Sequence, residues 1–121
     1  MAPKLDTVSL AVARRARTIA KRDATLAARA RAAGSLARAR CDRELARCGT
    51  VLAEYDAVIL FAANRKSAVS QRAAAVADRR GAMARAPVDW KDIAAFDRVI
   101  EGLDGIVTQC DQILASLGYA A

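Results

Sequence analysis

The chain has 121 residues, the length of one domain, and 31 of them are Ala; with only two Pro, six Gly and almost no β-rich run, an all-α fold is expected. It contains no His, no CxxC pair and no glycine-rich phosphate loop, which removes the usual zinc sites, histidine-based catalysis and nucleotide cradles. The formal net charge of +7 is uneven: residues 1–50 carry +8, residues 51–86 carry +3 and residues 87–121 carry −4, so the two ends attract one another or face different partners.

The first helix is expected over about 4–33, with Pro3 at its start. Leu5, Val12, Ile19, Leu26 and Ala33 recur every seven residues, but the positions four further on are Ser9, Ala16, Asp23 and Ala30, so the apolar face is weak. Beside it runs a basic column of Arg15, Arg22 and Arg29, supplemented by Arg14, Arg17, Lys21 and Arg31. These first 35 residues resemble an organelle transit peptide in being Arg-rich, Ala-rich and acid-poor. A cleaved leader is nevertheless not expected, and Asp6 interrupts the apolar core a secretory signal would need.

Gly34-Ser35 is a candidate break, since Gly can end one helix and Ser can cap the next. The heptad pattern also runs through it with one stutter, so a continuous helix and a broken one both fit. The second helix, about 35–85, is the organising stretch. Positions 41, 45, 48, 52, 55, 59, 62, 66, 69, 73, 76, 80 and 83 alternate by three and four from 45 onward, the spacing of a coiled-coil seam. Lys66 and Arg80 fall within that seam, as snorkelling side chains or as register-setting polar positions. Arg79, Arg80 and Arg85, followed by Ala86-Pro87, mark its end, and Asp89 is placed to cap a new helix.

The third helix, about 89–117, has the strongest apolar face: Ile93, Phe96, Ile100, Leu103, Val107, Cys110, Leu114 and Leu117, widened by Val99, Ile106 and Ile113. Gly102 and Gly105 inside it suggest close approach of a neighbouring helix, and Gly118 ends it. Reversal near Pro87 puts Ile93 near residue 82 and Val107 near Val69. The expected architecture is a single helical domain over 1–121: an elongated antiparallel coiled-coil hairpin, or a three-helix bundle with the N-terminal helix folded back. Cys41, Leu45, Cys48 and Leu52 then form a seam that the last helix does not reach. It is covered by the first helix, by a second copy of the chain or by another protein.

Cys41, Cys48 and Cys110 are odd in number, and Cys41 and Cys48 would lie about 10 Å apart on one helix, beyond disulfide reach. They are expected to be small buried apolar groups in a reducing cytoplasm. The longest apolar run, residues 57–63, is too short to span a bilayer. Glu54 and Asp56, flanking Tyr55, make no apolar carboxylate pair, so no enzyme activity, cofactor, metal or small-molecule substrate is expected. Binding to a membrane surface is disfavoured because the face opposite the basic residues is mostly Ala. A basic nucleic-acid-binding protein is the alternative reading, supported by a pI near 10.0, although no aromatic residue precedes Tyr55 in the basic half.

The Lys/Arg-rich opening, the seam through LARARCDRELARCGTVLAEYDAVIL and the reversal after GAMARAP together resemble the FliJ and YscO family of flagellar and type III secretion export stalks, as a pattern covering most of the chain. That resemblance implies a cytoplasmic hairpin inserted into the channel of a hexameric export ATPase. By position it implies ATPase-facing residues at the hairpin termini, including Arg14, Arg15, Arg17, Lys21 and Arg22. The return helix here is much shorter than the first arm.

Overall fold

The structure, a computed structural model, describes residues 6–119 and is all-α. Its helices are α1 (Thr7–Arg31), α2 (Ser35–Met83) and α3 (Trp90–Ser116). Pro3, Leu5 and the expected start near residue 4 lie outside the described residues; α1 begins at Thr7 because the Asp6 carboxylate accepts the Ser9 N–H at 2.7 Å. The break at Gly34 is present. Gly34 sits at φ +92°, a conformation that other residues adopt only with strain, and its carbonyl accepts the Arg38 N–H, so it stands at the α2 cap position expected for Ser35. Asp89 caps α3 as expected, accepting the Lys91 N–H at 3.0 Å. At the far end Gly118, at φ +88°, closes a Schellman turn in which the Tyr119 N–H reaches the Leu114 carbonyl and both side chains are buried.

The chain divides into two compact units, Met1–Leu60 and Phe61–Ala121, and α2 passes from one into the other. In the first unit α1 returns antiparallel along the first half of α2, pairing Arg15 with Asp56 and Arg29 with Asp42. This supplies the cover that the Cys41–Leu52 seam required: Cys48 is 3% exposed, and Cys41, Leu45 and Leu52 are half-buried. The face that α1 turns inward differs from the expected one by a residue. Ala11 is fully buried, with Thr18 and Thr25 half-buried, whereas Val12 and Leu26 are 50% and 48% exposed. Small residues let the helix axes approach, and Thr18 and Thr25 donate their hydroxyls to the carbonyls of Arg14 and Lys21, so neither hydroxyl is orphaned at the contact.

In the second unit α3 buries the predicted seam: Ile93, Leu103, Cys110 and Leu114 are buried, and Phe96, Ile100, Val107 and Leu117 half-buried. Three ion pairs, Arg79–Asp97, Arg72–Asp104 and Arg65–Asp111, fix an antiparallel register that sets Ile93 beside Met83 and Val107 beside Val69, within a residue of the expected alignment. The face of α2 is corrected. Lys66, Val69, Ala73, Arg80 and Met83 are exposed, while Ala62 and Val76 of the expected seam are half-buried; the most covered positions come one residue before the expected ones, at Ala68 and Ala75, with Arg65, Arg72, Arg79 and Ala82 half-buried. The bulk of this contact comes from α3, so Ala opposite it fills the remaining space, and Lys66 and Arg80 are solvated rather than register-setting.

The two hairpins repeat one pattern. Adding fifty to 15, 22 and 29 gives 65, 72 and 79, the heptad arginines of the second unit; adding fifty-five to 42 and 56 gives 97 and 111, its outer aspartates. Leu45, Val51 and Leu52 correspond on the same shift to Ile100, Ile106 and Val107. Each unit is thus an antiparallel pair of helices with heptad Arg on the leading helix and heptad Asp on the returning one.

Candidate interaction surfaces

Heptad spacing places successive side chains on one flank of a helix seam, where they reach the flank of an antiparallel neighbour. In the second unit all three rungs are made, with Arg Nε to Asp Oδ1 distances of 2.5 Å (Arg65–Asp111), 2.5 Å (Arg72–Asp104) and 2.6 Å (Arg79–Asp97). In the first unit only the outer two are made, Arg15–Asp56 at 2.8 Å and Arg29–Asp42 at 2.5 Å. The middle position, Arg22, faces Gly49, which has no side chain, and Arg22 turns to its neighbour Asp23 instead, at 3.3 Å.

On the other flank of the first hairpin Lys21 Nζ lies 2.7 Å from Glu44 Oε1, and Arg47 lies 3.2 Å from Oε2. The Lys21 hydrogen bond, reinforced by the charges of Lys21 and Arg47, holds the Glu44 carboxyl below its ordinary value; the same bond raises Lys21, and the bond that Arg29 donates to Asp42 raises Arg29. The basic column singled out in the sequence therefore does not form one free surface. Arg15, Lys21 and Arg29 are engaged with α2, Arg22 is engaged with Asp23, Arg14 is not free, and Arg17 is exposed on α1.

Four of the cations without an acidic partner lie together where the first hairpin reverses: Arg31 at the end of α1, and Arg38, Arg40 and Arg43 in the first turns of α2, all exposed. Leu36, Arg40, Arg43 and Arg47 follow one another by four, three and four, which puts them on one stripe, and Leu36 is 70% exposed. Sequence reasoning missed this tip because it counted cations without counting the aspartates that neutralise them. The available signal was the run from Ala24 to Cys41, which holds four Arg and no acid.

The second unit contributes a groove of about 350 Å³ between its helices, floored by Phe61, Ala68, Leu103 and Cys110 and edged by Ile106 and Ile113. Gly102 and Gly105 have no neighbour: a Cβ on either would meet nothing within 4 Å, so close approach within this chain does not explain them. The three cysteines are unpaired, Cys48 and Cys110 being buried. Among the described residues no group of His, Cys, Asp or Glu is placed to hold a metal ion, and no helix is long and apolar enough to cross a membrane.

The fold and these surfaces define an all-α chain of two helical hairpins that share a long central helix. No family model, no curated protein and no solved structure matches it.

Proposed function

We propose that this chain is a non-enzymatic helical coiled-coil module for protein interaction, and that its working surface is the tip of the first hairpin. The observation that carries the reading is the stripe of Leu36, Arg40 and Arg43, flanked by Arg31 and Arg38: four cations with no acidic partner around a large exposed aliphatic side chain. Such a surface suits an acidic protein with an apolar socket, since phosphate alone gives no reason to expose Leu. The sharpest form of the proposal is a stalk or accessory subunit of an ATPase-driven type III protein export apparatus in the cytoplasm. Three unpaired cysteines are compatible with a reducing compartment. In that form the tip replaces the α1 column as the ATPase-facing region, because Arg15, Lys21 and Arg22 are already engaged within the chain.

Nucleic-acid binding is the second reading, and the same unpartnered arginines favour it. A pull-down from the source cell, with and without nuclease and at low and high salt, separates the two. Nuclease-resistant recovery of a protein, an export ATPase in the sharpest form, supports the module; recovery of nucleic acid, lost on nuclease treatment and with rising salt, supports the alternative.

A further inference from the structure

α3 carries two heptad seams. The first, from Ile93 to Leu117, is buried against α2. Ala95, Val99, Gly102, Ile106, Gln109 and Ile113 make a second, with steps of four, three, four, three and four and no charged residue. Helical periodicity places Asp97, Asp104 and Asp111 on one flank of the buried seam and Val99, Ile106 and Ile113 on the other. The second seam is open: Val99 is 51% exposed and Ile106 44%, and a Cβ at Gly102 would meet nothing.

We infer that this seam is the docking surface for a second copy of the same chain, pairing antiparallel about a two-fold axis at Ile106. The spacing is self-complementary. Val99 and Ile113 stand seven residues on either side of Ile106, so each meets the other's counterpart, and Gly102 of one copy lies beside Gln109 of the other. Next to the axis the flanking row holds Gly105 and Gln112, both uncharged, and Gly105 lets two helices approach closely. On the opposite side Asn64, Ser67 and Gln71 of α2 line the groove with amides and a hydroxyl that can donate and accept equally, as an isologous contact requires.

Charge selects this occupant over an acidic one. The second unit has eight Lys or Arg against seven Asp or Glu, and three of those pairs are joined in its own rungs, so its own surface is close to neutral and neither repels the same surface of a second copy nor attracts an acidic partner. The seven residues of this sequence outside the described range are too few to cover a stripe about 27 Å long at ~1.5 Å per residue. Two such hairpins meeting along that stripe, each about two helix diameters of ~10 Å wide, bury on the order of 1,000 Å² in total, the lower end for a specific interface, so the dimer is concentration-dependent.

Sedimentation equilibrium of the full chain over a concentration series tests this. The mass is expected to rise two-fold from monomer to dimer. Ile106→Glu and Ile106→Lys, exposed enough to leave helicity unchanged by circular dichroism, are each expected to remain at monomer mass, and an equimolar mixture of the two is expected to recover the two-fold mass through an ion pair at the axis. A wild-type mass that stays monomeric at the highest concentration, or folded variants that dimerise like wild type, would overturn the proposal. The outcome is independent of the Arg-rich tip, whose neutralisation is expected to leave the mass unchanged.

Discussion

Gly49 is the residue at which the ladder of the first hairpin fails. Arg15 and Arg29 each reach an aspartate across the helix pair, and Arg22 between them has no side chain at the corresponding position and pairs with Asp23 on its own helix. The space is open, since a Cβ at Gly49 would meet nothing within 4 Å. Gly49→Asp is therefore expected to stabilise the chain by about 0.5–1 kcal/mol, through a third rung and a helix position relieved of Gly. Arg22→Gln in that background should remove the rung's share, and a double-mutant cycle on the melting temperature measures it. Gly34 is the opposite case: its φ of +92° makes Gly34→Ala strained, with an expected loss of about 1 kcal/mol or more.

Glu44 sets the pH dependence at the same scale. Its folded carboxyl lies below the ordinary value of 4.5 and its partner Lys21 lies above 10.5, both through their mutual hydrogen bond. A lowered carboxyl contributes stability that is present above 4.5 and is lost as pH falls through the folded value; the raised amine contributes below 10.5 and loses it as pH rises through its own folded value. Glu44→Gln should therefore melt lower than wild type near neutrality, and the gap should close on acidification toward pH 3. An equal gap at both pH values would remove the ion pair from the account.

At the scale of elements, the buried seam of α3 was legible in the sequence, and the covered faces of α1 and of α2 beyond Phe61 were legible only to within one residue. The difference is physical. Ile93, Phe96, Ile100, Leu103 and Leu114 are large, so their periodicity states which face is buried. On α2 beyond Phe61 the covered positions are Ala68, Ala75 and Ala82 between half-buried arginines, and Ala marks no face in a chain so rich in it. Val69 drew the expected seam one step too far, as Val12 and Leu26 did on α1, whereas Val76 is half-buried beside Ala75. The rungs themselves were readable as Arg and Asp at intervals of seven, but only by comparing helices in antiparallel register.

Two substitutions rank the forces between these elements. Val107→Asp sets an unpaired charge in the α3 seam and is expected to cost several kcal/mol and collapse the second hairpin. Arg65, Arg72 and Arg79, 37–44% exposed and facing carboxylates that are 34–55% exposed, contribute much less. Replacing all three by Gln should cost about 1–2 kcal/mol, with the difference from wild type shrinking in high salt. A larger, salt-independent loss would mean that their aliphatic stems, and not their charges, hold α3.

For the whole molecule the charge of +7 separates into two populations. The first unit holds twelve Lys or Arg against six acids and the second eight against seven, so nearly all of the excess belongs to the first hairpin. Within that hairpin, the cations on the inner flanks bind aspartate or glutamate, and those around Gly34 bind nothing. On the proposed reading, structure and partner selection draw on different arginines, so either set can be changed without the other.

That separation is tested most directly by comparing two neutralised chains side by side, Arg31, Arg38, Arg40 and Arg43→Gln at the tip and Arg65, Arg72 and Arg79→Gln on the ladder, for thermal melting and for partner capture from the source-cell lysate in the presence of nuclease. The tip variant is expected to melt with the wild type and to lose its protein partner, and the ladder variant to melt lower yet capture that partner when folded. Undiminished capture by the tip variant, or equal loss by both at temperatures where both are folded, would contradict the assignment of the working surface to the tip of the first hairpin.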